Sequence, residues 1–216
     1  MKNIIFVAPP AAGKGTCSEV LTNKFNYKHI STGDLLREAR IKSDDLGQKI
    51  AQLMDSGKLV SDDIVLELLQ RELENTNQDF ILDGYPRNIL QAQTLDSIFK
   101  DLQIDNYVVI YLKIEFDKAL ERTLGRLVCP KCKSGYNKYE PSLKPKLDGI
   151  CDNCGEKLIT RSDDNEETFK IRFDNYMKET EPVLQYYQDK NKLNIIDATQ
   201  SVDDIIEEIE RVIVNG

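Results

Sequence analysis

The chain has 216 residues, of which 40% are hydrophobic and 31% charged, with a formal net charge of −8 at neutral pH. That length supports one buried core, or one core with an insertion, and the composition is that of a globular protein. The acidic balance argues against a general nucleic-acid or anionic-membrane partner, since both reward a positive field.

The first apolar stretch, Ile4 to Ala8, is too short for the apolar region of a signal peptide, and no later segment approaches a membrane span. A cytoplasmic protein is therefore expected. Lys2 to Ala8 predicts a buried strand and Lys14 to Lys24 the helix after it. Between them lies Pro9-Pro10-Ala11-Ala12-Gly13-Lys14-Gly15-Thr16. A strand, a tight turn and a helix start with a lysine and a hydroxyl outline a phosphate loop. Unpaired N–H groups at the helix start wrap the phosphate, and the lysine supplies a point charge. The consensus has glycine where this chain has Ala8.

Tyr27 to Ile30 reads as a short strand, and Ser31-Thr32-Gly33-Asp34-Leu35-Leu36-Arg37 as a helix start with small polar caps. Helices are predicted at about 45–55 and 62–74, linked by Gly57-Lys58-Leu59-Val60. Phe80 to Asp83 is a strand ending on a carboxylate, and Gly84-Tyr85-Pro86-Arg87 leads into a helix. Tyr107 to Ile114 predicts another strand, followed by a helix through about Gly125. Leu193 to Asp197 and Val202 to Val214 are the last strand and helix. Such alternation predicts an α/β fold, a parallel sheet with helices on both faces and ligands at the carboxyl ends of the strands. Ala8, Asp83 and Asp197 fall there.

The stretch from Leu127 to Lys157 breaks the alternation and reads as a small insertion. It holds Cys129-Pro-Lys-Cys132 and Cys151-Asp-Asn-Cys154, eighteen residues apart. Two such knuckles can close four thiolates around a structural zinc, leaving no open position for catalysis. Reduced thiols or disulfides are the alternatives. Cys17 reads as a small packed apolar residue. Helical character resumes from Asp163 to Asn191, divided or kinked at Pro182.

Beside a phosphate loop, Asp83 can hold magnesium through water; the plainer reading is a strand-ending turn cap. Of nine arginines, six (Arg37, Arg87, Arg122, Arg126, Arg161 and Arg172) fall near strand ends or around the insertion. Together they can neutralise several phosphates.

With these motifs in this order the chain resembles the bacterial adenylate kinases of the long-lid, zinc-containing kind, along essentially its whole length. The resemblance rests on Gly13 to Thr16, Ser31 to Arg37, Gly57 to Val60, Asp83 to Arg87 and Gln91. Arg122, Gly125-Arg126, the four cysteines, Arg161 to Asp164 and Arg172 complete it.

The resemblance implies a phosphate-loop nucleoside monophosphate kinase fold with a five-stranded parallel sheet. Residues 1–30, 61–126 and 163–216 would form the core, 31–60 an AMP-binding domain, and 127–162 a zinc-binding lid. The implied activity is reversible magnesium-dependent phosphoryl transfer from ATP to AMP, giving two ADP, by a monomer. An ATP site of Ala12, Gly13, Lys14, Gly15, Thr16, Arg122, Arg126, Tyr136 and Gln200 is implied. So is an AMP site of Thr32, Arg37, Lys58, Val60, Gly84, Arg87, Gln91, Arg161 and Arg172, in which the glutamine reads the adenine edge. Lys14, Arg87, Arg122, Arg161 and Arg172 would be catalytic, with Asp83 and Asp34 around magnesium.

The residues suit that chemistry. The phosphate of AMP is mostly a dianion at neutral pH, so no general base is required, and the single histidine, His29, is left as a packing or hydrogen-bonding residue. Three departures from the family pattern stand out: Ala8 and Ala11, where the family carries glycine, and Leu127, where it often has a second arginine. A methyl group at a left-handed position costs about 1–2 kcal/mol. The alternatives are a kinase of UMP or CMP and a catalytically weakened nucleotide-binding protein. A nucleic-acid-binding zinc ribbon is disfavoured by the charge.

Overall fold

A computed structural model of the chain describes residues 1–41, 44–55 and 60–215. Its strands are β1 (Asn3–Val7), β2 (Lys28–Ser31), β3 (Phe80–Asp83), β4 (Tyr107–Lys113), β5 (Arg126–Val128), β6 (Gly135–Asn137) and β7 (Leu193–Asp197). The helices are α1 (Lys14–Phe25), α2 (Thr32–Arg40), α3 (Asp45–Asp55), α4 (Asp62–Glu74), α5 (Ile89–Asp101), α6 (Phe116–Gly125), α7 (Glu166–Asn175), α8 (Pro182–Asp189) and α9 (Val202–Asn215).

Among the described residues the main sheet has five parallel strands in the order β2-β3-β1-β4-β7. β1 is central because it is apolar on both faces. Its two-residue period sends Ile4 and Phe6 into one core layer, with Cys17 and Leu21 of α1 and Ile206 and Ile209 of α9. Ile5 and Val7 enter the other, with Leu69 of α4, Leu95 of α5 and Val183 of α8. Cys17 is thus packed in a helix–sheet layer as its sequence context suggests, and burial pushes its thiol up to about 12.

Two stretches depart from the strand–helix alternation. Between β2 and β3, α2, α3 and α4 share a small cluster of Ala39, Ile50, Ile64 and Leu68, against which half-buried Val60 packs. Between α6 and α7, β5 and β6 form an antiparallel ribbon. Leu127 is buried there with Cys129, Cys151 and Leu158, so an apolar side chain suits the position.

Differences from the sequence reading are small. The second strand runs one residue later than Tyr27 to Ile30: Ser31 belongs to it, and its hydroxyl accepts from the Asp34 N–H at 3.4 Å to cap α2. Tyr27 stays outside the strand and donates its hydroxyl to the Lys2 carbonyl at 2.7 Å. The segment after α7 passes through a π turn at Tyr176–Thr180 before α8 starts at Pro182, where the missing N–H costs nothing. Among the described residues no helix is long and apolar enough to cross a membrane.

Candidate functional site

A cleft of about 660 Å³ opens at the carboxyl ends of β1, β2 and β3. Parallel strands bring three corners together there. The first supplies Ala8, Pro10 and Lys14, the second Ser31, Thr32 and Gly33, and the third Asp83, Gly84, Arg87, Asn88 and Gln91. Arg161 and Arg172 close the far wall.

In the first corner, Lys14 donates to the Ala8 carbonyl at 3.1 Å. Burial pushes its ammonium below the ordinary lysine value; Asp83 opposes this, while Arg87, Arg172 and Arg126 add to it. Ala11 has φ 60°, in the left-handed region, whereas Ala8 lies outside it. The glycine deficit of the loop is therefore a backbone matter at Ala11 alone.

In the third corner, burial alone would push the Asp83 carboxyl up. The neighbouring His29, Lys14 and Arg87 outweigh it and hold the carboxyl below the usual range. His29 Nε2 lies 3.8 Å from Asp83 Oδ2, because the parallel register of β2 and β3 puts both side chains on one face. Gly84 has φ 86°, and a Cβ there would lie 2.7 Å from the Thr32 hydroxyl, so only glycine lets the two corners meet. The Thr32 hydroxyl and Arg87 Nε both donate to the Gly84 carbonyl, at 3.2 and 2.8 Å. Gln91 Oε1 accepts the Arg87 N–H at 2.7 Å, which leaves its amide nitrogen free to donate. Asn88, which the sequence reading passed over, caps α5 by accepting from the Gln91 N–H at 2.9 Å. Its signal was available: an Asn three residues ahead of Gln, before an apolar run.

The other expected site residues lie elsewhere. Arg37 and Asp34 pair with each other at 2.6 Å in exposed positions and are not among the described residues lining the cleft. Lys58 lies outside the described residues. Ala12, Gly13, Gly15 and Thr16 form the turn and first residues of α1. Arg122 donates to the Ala198 carbonyl at 2.7 Å and to Glu140 at 3.2 Å. Gln200 donates to Glu208 at 3.0 Å, close to the same carboxyl end of β7. Arg126 lies 3.4 Å from Asp164, whose side chain is fully buried. Burial raises the Asp164 pKa, and Arg126 only partly opposes it.

The four cysteine sulfurs lie within 4.8 Å of one another. Cys129–Cys154 and Cys132–Cys151 are separated by 3.4 Å, and Cys132–Cys154 by 3.5 Å. Tetrahedral Zn–S bonds place sulfurs about 3.8 Å apart, so this donor set can hold a metal ion. The cysteines are unbridged. The Tyr136 hydroxyl lies 3.5 Å from Cys151 Sγ and accepts from the Asp152 N–H at 2.8 Å, beside the cluster.

A family model described as adenylate kinase matches residues 6–192. Similar curated proteins carry the same description. One from Petrotoga mobilis is 43% identical over 95% of this chain and 94% of its own length. One from Borreliella burgdorferi is 39% identical over 97% of each. One from Thermosipho africanus is 40% identical over 98% of this chain and 99% of its own length.

Proposed function

The chain belongs to the adenylate kinase family and is a phosphotransferase, and from that premise we propose how its residues divide the transfer from ATP to AMP. The observation that carries the division is the meeting of Lys14, Asp83, Arg87, Arg161 and Arg172 around one cleft, with Thr32, Gly84 and Gln91 on its wall.

On this reading the cleft takes AMP. Arg87 and Arg37 hold its phosphate, Arg37 after releasing Asp34, and the free amide of Gln91 donates to the adenine edge. Gly84 and Thr32 shape the pocket, and Val60 and Lys58 are assigned to the same site on the family resemblance alone. ATP lies on the other side of the phosphate loop. Ala12 to Thr16 wrap its phosphates, Arg122 and Arg126 balance charge, and Tyr136 and Gln200 are assigned to the nucleoside, Gln200 after releasing Glu208 and Tyr136 with its hydroxyl held beside the cysteines. Lys14, Arg161 and Arg172 contact the group in transit. Positioning and charge stabilisation carry the catalysis, and no side chain has to remove a proton.

Magnesium, when bound with ATP, would supply neutralisation of phosphate charge. Asp83 is the carboxylate suited to hold it through water; Asp34 serves only once Arg37 lets it go. Zinc held by Cys129, Cys132, Cys151 and Cys154 would be structural, since four thiolates leave it no open position. Residues 31–60 and 127–162 act as an AMP-binding domain and a lid on a core of 1–30, 61–126 and 163–216. Closure over the phosphates excludes water, the competing acceptor. The enzyme is taken to be a cytoplasmic monomer, a compartment that keeps such thiols reduced.

A coupled assay with ATP and AMP, with and without magnesium, tests this directly. ADP formation that requires magnesium and prefers AMP over UMP and CMP is expected. Preference for UMP or CMP would reassign the acceptor, and ATP binding without ADP formation would mark a weakened phosphate loop.

A further inference from the structure

We propose that Glu140 is a positioning residue for the transfer, fixing the guanidinium of Arg122 on the donor side of the phosphate loop. The inference rests on the reading above that Arg122 serves ATP.

Glu140 follows β6 in the segment between α6 and α7. Its Oε1 accepts from Arg122 Nε at 3.2 Å and from Lys118 at 2.7 Å. Arg122 gives a terminal nitrogen to the Ala198 carbonyl at 2.7 Å, just past β7. A guanidinium held through Nε on one side and a terminal nitrogen on another has its plane fixed, and its remaining N–H groups point in set directions. The Arg122 and Glu140 side chains are only 12% and 16% exposed, so solvent screens the pair less than an ordinary surface bridge.

Glu140 is itself held. Asn137 Oδ1 accepts the N–H groups of Tyr139 and Glu140 at 2.9 and 3.3 Å, and Asn137 Nδ2 donates to the Arg122 carbonyl at 2.8 Å. The Lys138 N–H donates to the Gly125 carbonyl at 2.8 Å. A Cβ on Gly125 would lie 2.4 Å from Asn137 Oδ1 and 2.6 Å from the Tyr139 ring, so only glycine admits so close an approach. The segment is thus fastened to the end of α6 that carries Arg122. A carboxylate near a triphosphate would otherwise repel it. Lys118, shared between Glu140 and Glu121 at 2.7 and 2.9 Å, offsets part of that charge, so the role of Glu140 is to orient Arg122 and not to add positive charge.

The test is steady-state kinetics for both nucleotides, with melting temperature and bound metal, on Glu140→Ala, Glu140→Gln, Arg122→Lys and the Glu140→Ala/Arg122→Lys double variant. Glu140→Ala should lower kcat/KM for ATP about tenfold, the scale of one charge-assisted hydrogen bond, while KM for AMP and bound metal stay unchanged. Glu140→Gln keeps an acceptor and the volume, and should recover part of the loss. The double variant should be no worse than Arg122→Lys. An impaired Arg122→Lys with an additive Glu140→Ala effect overturns the positioning role alone, as does an equal loss for AMP and ATP. A normal Arg122→Lys enzyme overturns the donor-site reading and the proposal with it.

Discussion

The ammonium of Lys14 donates to the carbonyl of Ala8 at 3.1 Å, so the phosphate loop is closed by the cation that its own sequence supplies. On the division proposed above, that charge serves the group in transit. Replacing Lys14 with Met should lower turnover at least about 100-fold, the range seen when one electrostatic transition-state contact is lost. Circular dichroism should show an unchanged fold. Near-normal turnover in a folded variant would remove Lys14 from the chemistry.

Ala11 carries a β-carbon at φ 60°. Left-handed backbone costs a non-glycine residue about 1–2 kcal/mol, and glycine returns about half of that through its freer unfolded chain. Ala11→Gly should therefore raise the melting temperature by a few degrees. Ala8→Gly, at an ordinary φ, should lower it. Calorimetry on the two variants checks the pair, and the reverse order would show that the strain lies elsewhere.

Tyr136 stands against the four-cysteine cluster, its hydroxyl 3.5 Å from Cys151 Sγ and bonded to the Asp152 backbone. Loading the cluster with zinc and then stripping it should lower the melting temperature while leaving turnover of the folded fraction nearly unchanged, because an ion held by four thiolates contributes to folding. Tyr136→Phe should release metal to a chelator several-fold faster, as outer-shell changes do. An unchanged melting temperature after verified metal loss would contradict the structural role.

Glu140 and Asp164 should give opposite pH signatures. Burial pushes Glu140 up, but Lys118 and Arg122 outweigh it, so its folded pKa lies below the ordinary 4.5. Its contribution to stability is present above the unfolded value and is lost as pH falls through the lowered one. For Asp164, burial wins over Arg126, and the folded pKa lies above the ordinary 3.8. Its contribution is complete below the unfolded value and is lost as pH rises through the raised one. From about pH 7 to about pH 4, the melting-temperature advantage of the wild type should shrink against Glu140→Gln and grow against Asp164→Asn. Parallel trends would mean that burial does not govern Asp164.

Much of this protein was legible in one dimension. The alternation of apolar runs determined the parallel sheet. The Gly13-Lys14-Gly15-Thr16 motif located the strand-to-helix corner, and the run ending at Asp83 located a second strand end beside it, because local backbone chemistry sets where strands stop and helices start. The cysteine spacing likewise marked four sulfurs that now lie within 4.8 Å. What sequence could not decide was orientation across the chain. Arg37 and Asp34 belong to one motif, yet pair with each other at the surface. Tyr136 stands beside the cysteines, and Arg122 is bound by Glu140, a residue with no motif of its own. Hydrogen-bond partners fifteen or more positions apart are set by how insertions fold back on the sheet. Only the tertiary structure could therefore say which charges face the cleft and which are already spoken for.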